Sequence, residues 1–229
     1  MLHTVVLLAI ILVLSFLGSS RQQNVTSSHG RLILYLGTII WEWLLVGFVV
    51  IGIRRRGVHL RDLIGGRWAS AGQFFLDVAV AIGFWLTALA VLTALGFLLG
   101  LANANAAADA KAKLGFMVPR SVGELALFLC VSATAGFCEE VIFRGYLQRQ
   151  FAAFTGSAFA GVVIQAVIFG AGHGYQGGAR MILIAVYGAM FGLLALGRKS
   201  LRPGMIAHGI HDDVNGIALY AVKFVERVG

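Results

Sequence analysis

The chain has 229 residues, of which 59% are hydrophobic and only 12% charged, against roughly a quarter charged in ordinary soluble domains. A soluble fold of this size cannot hide that much apolar surface, and the missing apolar–polar alternation excludes an outer-membrane barrel, so the long apolar runs are read as membrane helices. The net charge of +8 does not mark a nucleic-acid binder: the basic residues, as in Arg54-Arg55-Arg56 and Arg198-Lys199, sit between apolar runs, where topology signals and lipid head-group contacts belong.

Seven apolar segments are expected, making an all-α, polytopic transmembrane helical bundle. The first covers residues 2–17 and is followed by a polar stretch, 19–31. It lacks a positive leading region, which argues against a cleaved signal peptide, although Gly18-Ser19-Ser20 keeps that option open. The second, 32–53, ends in Arg54-Arg55-Arg56; the third, 74–101, carries Gly96 and Gly100 at a spacing that suits helix contact. Glu42 and Asp77, inside these two segments, are expected to be helix-packing partners. An Ala/Asn-rich connector, 102–119, separates the halves, so residues 1–118 are taken as N-terminal helices and connector and 119–229 as the core.

The fourth segment runs from near Ser121 through Cys138-Glu139-Glu140 to Phe151, the fifth covers 157–172, the sixth 179–196 and the seventh 204–222. Gly188 and Gly192 repeat the small-residue spacing in the sixth. Cys130 and Cys138 would lie about 12 Å apart on one helix, too far to bridge, and are expected to pack in the core. The loop arginines and lysines at 54–67 and 198–202 outweigh Arg21, Arg31, Lys111, Lys113, Arg120 and Arg180 opposite. That bias puts the N-terminus in the cytosol and, in a prokaryote, the protein in the plasma membrane.

Ionisable residues inside membrane segments are costly and usually face a cavity or a partner. Their densest cluster lies in the second half. Glu140 and Arg144 are four apart, on one helix face and in the favourable order, so they neutralise each other. Glu139 lies about 100° around the helix from that pair, free for proton transfer; the alternative is a charged helix end. His173 closes the fifth segment after Phe169-Gly170-Ala171-Gly172, as a catalyst or as a hydrogen-bonded boundary residue. The glycine pattern that it interrupts, Gly172 to Gly177, follows a helix rather than a strand and is not a dinucleotide site. His208 and Asp212 share a face of the seventh segment, with His211 beside them and Asp213 pointing elsewhere; the alternative is a polar helix end. Measured from the Arg198 side, Glu139 and His173 lie about 18 and 24 Å deep, but His208 only about 6 Å. His208 can therefore meet them only if the seventh helix starts deep or tilts strongly.

Glu139-Glu140 with Arg144, Phe169 with His173, and His208 with Asp212 together resemble the CPBP family of membrane proteins. That family comprises CAAX-protease and bacteriocin-processing (Abi) proteins related to type II CAAX prenyl endopeptidases. The third motif ends in Asp212, where the family pattern also admits Asn. The resemblance implies a helical bundle with a conical active-site cavity and an endopeptidase acting on a membrane-anchored or lipidated, CAAX-like peptide. It implies that Glu139 and His173 activate a water, that His208 and Asp212 polarise the carbonyl or stabilise the oxyanion, and that Arg144 holds Glu140. A mechanism without metal is favoured; the alternative is zinc on His173, His208 and Glu139. The competing functions are a non-proteolytic immunity or scaffold protein of the same fold and a small proton-coupled transporter. The partners expected are the bilayer and a membrane-anchored peptide or protein substrate, with no nucleic acid.

Overall fold

The computed structural model describes residues 2–22, 25, 27–101, 103 and 105–228, and within them leaves undescribed the side chains of 14, 16–22, 106, 107, 110, 111 and 223–228. The Gly18-Ser19-Ser20 option, the first connector residue Ala102, and the charges of Arg21 and Lys111 fall outside that description. The described residues form helices joined by short turns: α1 (Leu2–Gln22), α2 (Ser28–Arg54), α3 (Leu60–Ile64), α4 (Ala71–Leu98), α5 (Ala106–Leu114), α6 (Val122–Glu139), a π-helical stretch (Glu140–Leu147), α7 (Gln148–Thr155), α8 (Ala158–Gly172), α9 (Gly178–Arg198) and α10 (Arg202–Val228). Serine starts four of them: Ser27, Ser70, Ser121 and Ser157 each accept a backbone N–H of the first turn through Oγ. Such caps satisfy donors that an apolar helix otherwise leaves unpaired.

Among the described residues four helices are long and apolar enough to cross a membrane: α2, α4, the continuous run Val122–Thr155 and α9. The chain is a multi-pass membrane protein. Leu2–Val13 and α8 are shorter apolar helices. The seventh expected segment is a 27-residue helix, α10, whose charged residues keep it out of the apolar class. Outward faces confirm the solvent: Ile33, Ile40 and Leu44 on α2, Phe75 and Leu86 on α4, and Val167 on α8 are all exposed. In water such faces would be a liability; in lipid they are the ordinary surface. Two short helices, α3 and α5, occupy stretches that the sequence reading left as loop and connector.

The core joins both halves of the chain. Leu7 of α1, Val46 and Val49 of α2, Cys138, Val141 and Leu147 around the π stretch, and Phe169 of α8 pack in one cluster. A second cluster joins Ala81 and Ala88 of α4 to Tyr187 and Phe191 of α9 and Ala207 of α10. Close helix contact depends on glycine at Gly136, where a Cβ would stand 2.9 Å from Gly209 N of α10. Gly188 and Gly192 pack as expected: a Cβ there would meet Phe169 and Gln165 of α8 at 3.0 and 2.8 Å. Gly96 does not, since a Cβ on it would meet nothing within 4 Å, and Gly100 sits at φ +70°, ending α4 rather than packing it. Cys130 also departs from expectation; it is exposed on α6, and only Cys138 is buried.

Buried ion pairs tie helices together. Asp77 of α4 accepts Trp68 Nε1–H at 2.9 Å and pairs with Arg198 at 3.1 Å and Arg202 at 2.9 Å. Asp77 is thus the packing partner that was expected. Arg31 is not a loop charge: it lies in the first turn of α2 and grips Glu124 of α6 through two N–H bonds of 2.8 and 2.9 Å. Glu124 also accepts Arg120 N–H at 2.8 Å and the Ser28 hydroxyl. Outside the spans, Arg180 at 2.6 Å and Lys113 at 3.1 Å hold the Asp109 carboxyl below the usual carboxylate range.

Candidate active site

Glu139 is the last α-helical residue before the π-helical stretch, and Glu140 opens it. The wider π turn, a device often found at functional sites, keeps Glu140 and Arg144 on one face; Arg144 Nη1 stands 2.9 Å from Glu140 Oε1, both fully buried. The guanidinium is fixed further by Nη2–H donating to Gly188 O at 3.2 Å and by the rings of Phe169 and Phe191, 4.4 and 4.9 Å from its carbon. A buried arginine paired with a carboxylate and packed between two rings is committed to structure.

His208 is the hub of the cluster. Its Nδ1–H donates to Glu140 Oε1 at 3.2 Å, while Nε2 faces Glu139 Oε2 at 3.6 Å and Asp212 Oδ2 at 3.7 Å. The last two distances exceed a direct hydrogen bond. The ring stacks on Phe191 at 5.2 Å. His208 thus reaches Glu139, which the sequence allowed only for a helix that starts deep or tilts, and the turn before α10 is buried in protein. Ser200 and Leu201 are buried, and Leu201 N–H and Ser200 Oγ–H both donate to Ile64 O, at 2.9 and 3.1 Å. The helix α3, which the sequence did not announce, covers that turn.

His173 caps α8, with Nδ1–H donating to Phe169 O at 2.8 Å. That bond fixes the tautomer and leaves Nε2 as the basic nitrogen. The side chain lines the same cavity as Glu139, His208 and Asp212. Glu139 nonetheless pairs with His208, not with His173, the partner that depth alone suggested. Beside His173, burial pushes the Tyr175 hydroxyl up to about 12, so it stays protonated. His211 packs against Tyr187, ring centres 4.9 Å apart.

The cavity measures about 460 Å³ and is walled by apolar residues of α1, α2, α6 and α8, among them Ile11, Trp41, Leu45, Phe128 and Phe169. One lining residue was misjudged from sequence. Glu42 of α2 does not pair with a neighbouring helix; it lines this cavity, and its Oε2 is buried without a hydrogen-bond partner. An acid in the middle of an apolar run was visible in the sequence, but not the direction in which it points.

The zinc alternative can be tested on the donors themselves. Among the described residues no three His, Cys, Asp or Glu side chains gather closely enough to hold a metal ion. The set His173, His208 and Glu139 does not fit a metal as arranged.

Residues 121–214 match the family model described as Type II CAAX prenyl endopeptidase Rce1-like. This stretch is similar to an Rce1-like domain. It begins at the serine cap of α6 and ends just beyond Asp212-Asp213, enclosing Glu139, Glu140, Arg144, His173 and His208. Helices α1, α2 and α4 lie outside the match, yet α1 and α2 wall the cavity that the matched residues line. No curated protein and no solved structure matches the chain.

Proposed function

We propose that the protein is an intramembrane endopeptidase that cuts a membrane-anchored or lipidated peptide by glutamate-activated water. The observation that carries this reading is the convergence of Glu139 and Asp212 on His208 Nε2, in a cavity that His173 also lines. Its support from family is the Rce1-like match over the same residues. The expected bundle has seven membrane-crossing segments, the N-terminus in the cytosol, and a conical opening for substrate. Residues 119–229 act as the catalytic core and 1–118 supply walls.

In the proposed reaction a water held by Glu139 and His173 Nε2 gives its proton to Glu139 as its oxygen bonds to the peptide carbonyl carbon. The carbonyl π electrons move to oxygen, and the oxyanion is stabilised by an N–H of His208, whose ring Glu140 orients from the far side. Asp212 fixes the His208 edge that faces the substrate. Collapse of the tetrahedral intermediate breaks the C–N bond, and the proton on Glu139 passes to the departing amine. The new carboxylic acid gives its remaining proton to the amine, so the products are a carboxylate and an ammonium group, and Glu139 is regenerated. Glu140 and Arg144 serve as positioning residues.

The test compares, by mass spectrometry, membrane peptides from cells with the wild-type protein and cells with Glu139→Ala. Peptide ends that disappear with Glu139→Ala support proteolysis. Identical peptide sets with a retained phenotype favour a binding scaffold instead, and carboxylate-dependent flux in proteoliposomes favours a transporter.

A further inference from the structure

The buried carboxylates outside the cavity are neutralised. Asp77 has Arg198 and Arg202, Glu124 has Arg31, and Glu140 has Arg144. Glu42 differs in having no arginine paired with it, and its Oε2 is buried with no hydrogen-bond partner on a wall of the candidate active-site cavity. Its placement is fixed by packing, because the adjacent Trp43 stacks on Phe137 of α6 with ring centres 5.4 Å apart. Glu42 lies near enough to Glu139 for the two carboxylates to interact, and Asp212 lines the same space. Among the described lining residues there is no lysine or arginine, and His208 pairs with Glu139 and Asp212 while no ion pair is formed by Glu42.

Charges confined to a low-dielectric space repel strongly, and a buried carboxylate without a counter-charge is costly. A cation brought in by the substrate removes both penalties at once. We propose that Glu42 is a specificity-determining residue that receives a basic side chain of the peptide next to the scissile bond. A charge-assisted bond of this kind forms only when the substrate occupies the cavity. The inference rests on the endopeptidase reading and adds a substrate class to it: membrane-anchored peptides with Lys or Arg adjacent to the cut.

The experiment uses the full-length protein in vesicles with acyl-anchored, quenched-fluorescent peptides. They differ only in Lys, Gln or Glu, scanned over the residues flanking the scissile bond. The wild type is expected to show kcat/KM at least about tenfold higher for Lys than for Gln at one position, with Glu poorest. Glu42→Gln brings the Lys-to-Gln ratio to about one, with the loss in KM, and Glu42→Asp restores part of it. An unchanged ratio in Glu42→Gln, or an equal fall in kcat for all three peptides, overturns the proposal. If the wild type cleaves none of the peptides, the endopeptidase reading fails. Binding of the labelled Lys peptide to Glu139→Gln protein then decides the matter: tenfold weaker binding on adding Glu42→Gln upholds the cation site, and equal binding refutes it.

Discussion

Asp77 and Glu42 are both single acids inside apolar helices, and from sequence alone they deserve the same description. Their surroundings differ completely. Asp77 sits near the start of α4, where Arg198, Arg202 and Trp68 reach it and fasten α4 to the α9–α10 turn. Glu42 sits in the middle of α2 and faces a cavity instead of a cation. A buried charge supplied with its counter-charge holds helices together, whereas one left without it marks where a ligand is received. The same contrast separates the adjacent pair Glu140 and Glu139: the first is enclosed by Arg144 and His208, and the second opens to the cavity.

Four measurements sharpen or break this comparison. The largest effect is expected from Glu139→Gln, which removes the proposed base without changing shape. Turnover of a cleaved peptide should fall about a hundredfold to ten-thousandfold while thermal stability holds; a loss below tenfold would sink the assignment. Next, Arg144→Ala leaves Glu140 buried without its cation and should cost about 3–5 kcal/mol in a reversible unfolding assay, with activity lost as His208 shifts. Stability within about 0.5 kcal/mol of wild type would show that Glu140 does not need its partner.

Asp77→Asn and Glu42→Gln form the direct comparison. Asp77→Asn strands two arginines and should destabilise by about 1–3 kcal/mol; Arg198 is partly exposed, which keeps the figure below that for Arg144. Glu42→Gln should leave stability the same or slightly higher, since Glu42 has no arginine or lysine paired with it. A reversed order would erase the distinction between the two acids. The smallest effect is expected from metal removal: with no donor set that fits an ion, chelated protein should keep its activity within about twofold. Activity lost on chelation and restored by zinc would require a rearranged site.

Much of the site was legible because the charges are so few. An acid or a histidine in an apolar run has to be explained, and Glu139, Glu140, Arg144, His173, His208 and Asp212 all stood out for that reason. The Glu140–Arg144 pair followed from helical spacing and is present. The reach of His208 did not follow, because depth was counted from the ends of apolar runs. Leu201 and Ser200 look like a surface turn in sequence, but α3 folds over them through Ile64 O. The Arg31–Glu124 clamp was missed for a related reason: Arg31 borders a polar stretch, and only the contact between α2 and α6 reveals its partner 93 positions away.

By itself, then, the sequence determined that the protein is a helical membrane protein, since backbone groups in lipid must pair within their own segment and apolar runs of this length have no other outlet. It also determined which ionisable residues needed a purpose, because each one in an apolar segment carries a desolvation cost. The tertiary structure decided how those costs are met. Pairing depends on which side chains meet across helices, and that is fixed by close contacts such as Gly136 on α10 and Trp43 on Phe137, not by local spacing. Thus Asp77 became a fastening, His208 a hub, and Glu42 an acid left open to the cavity.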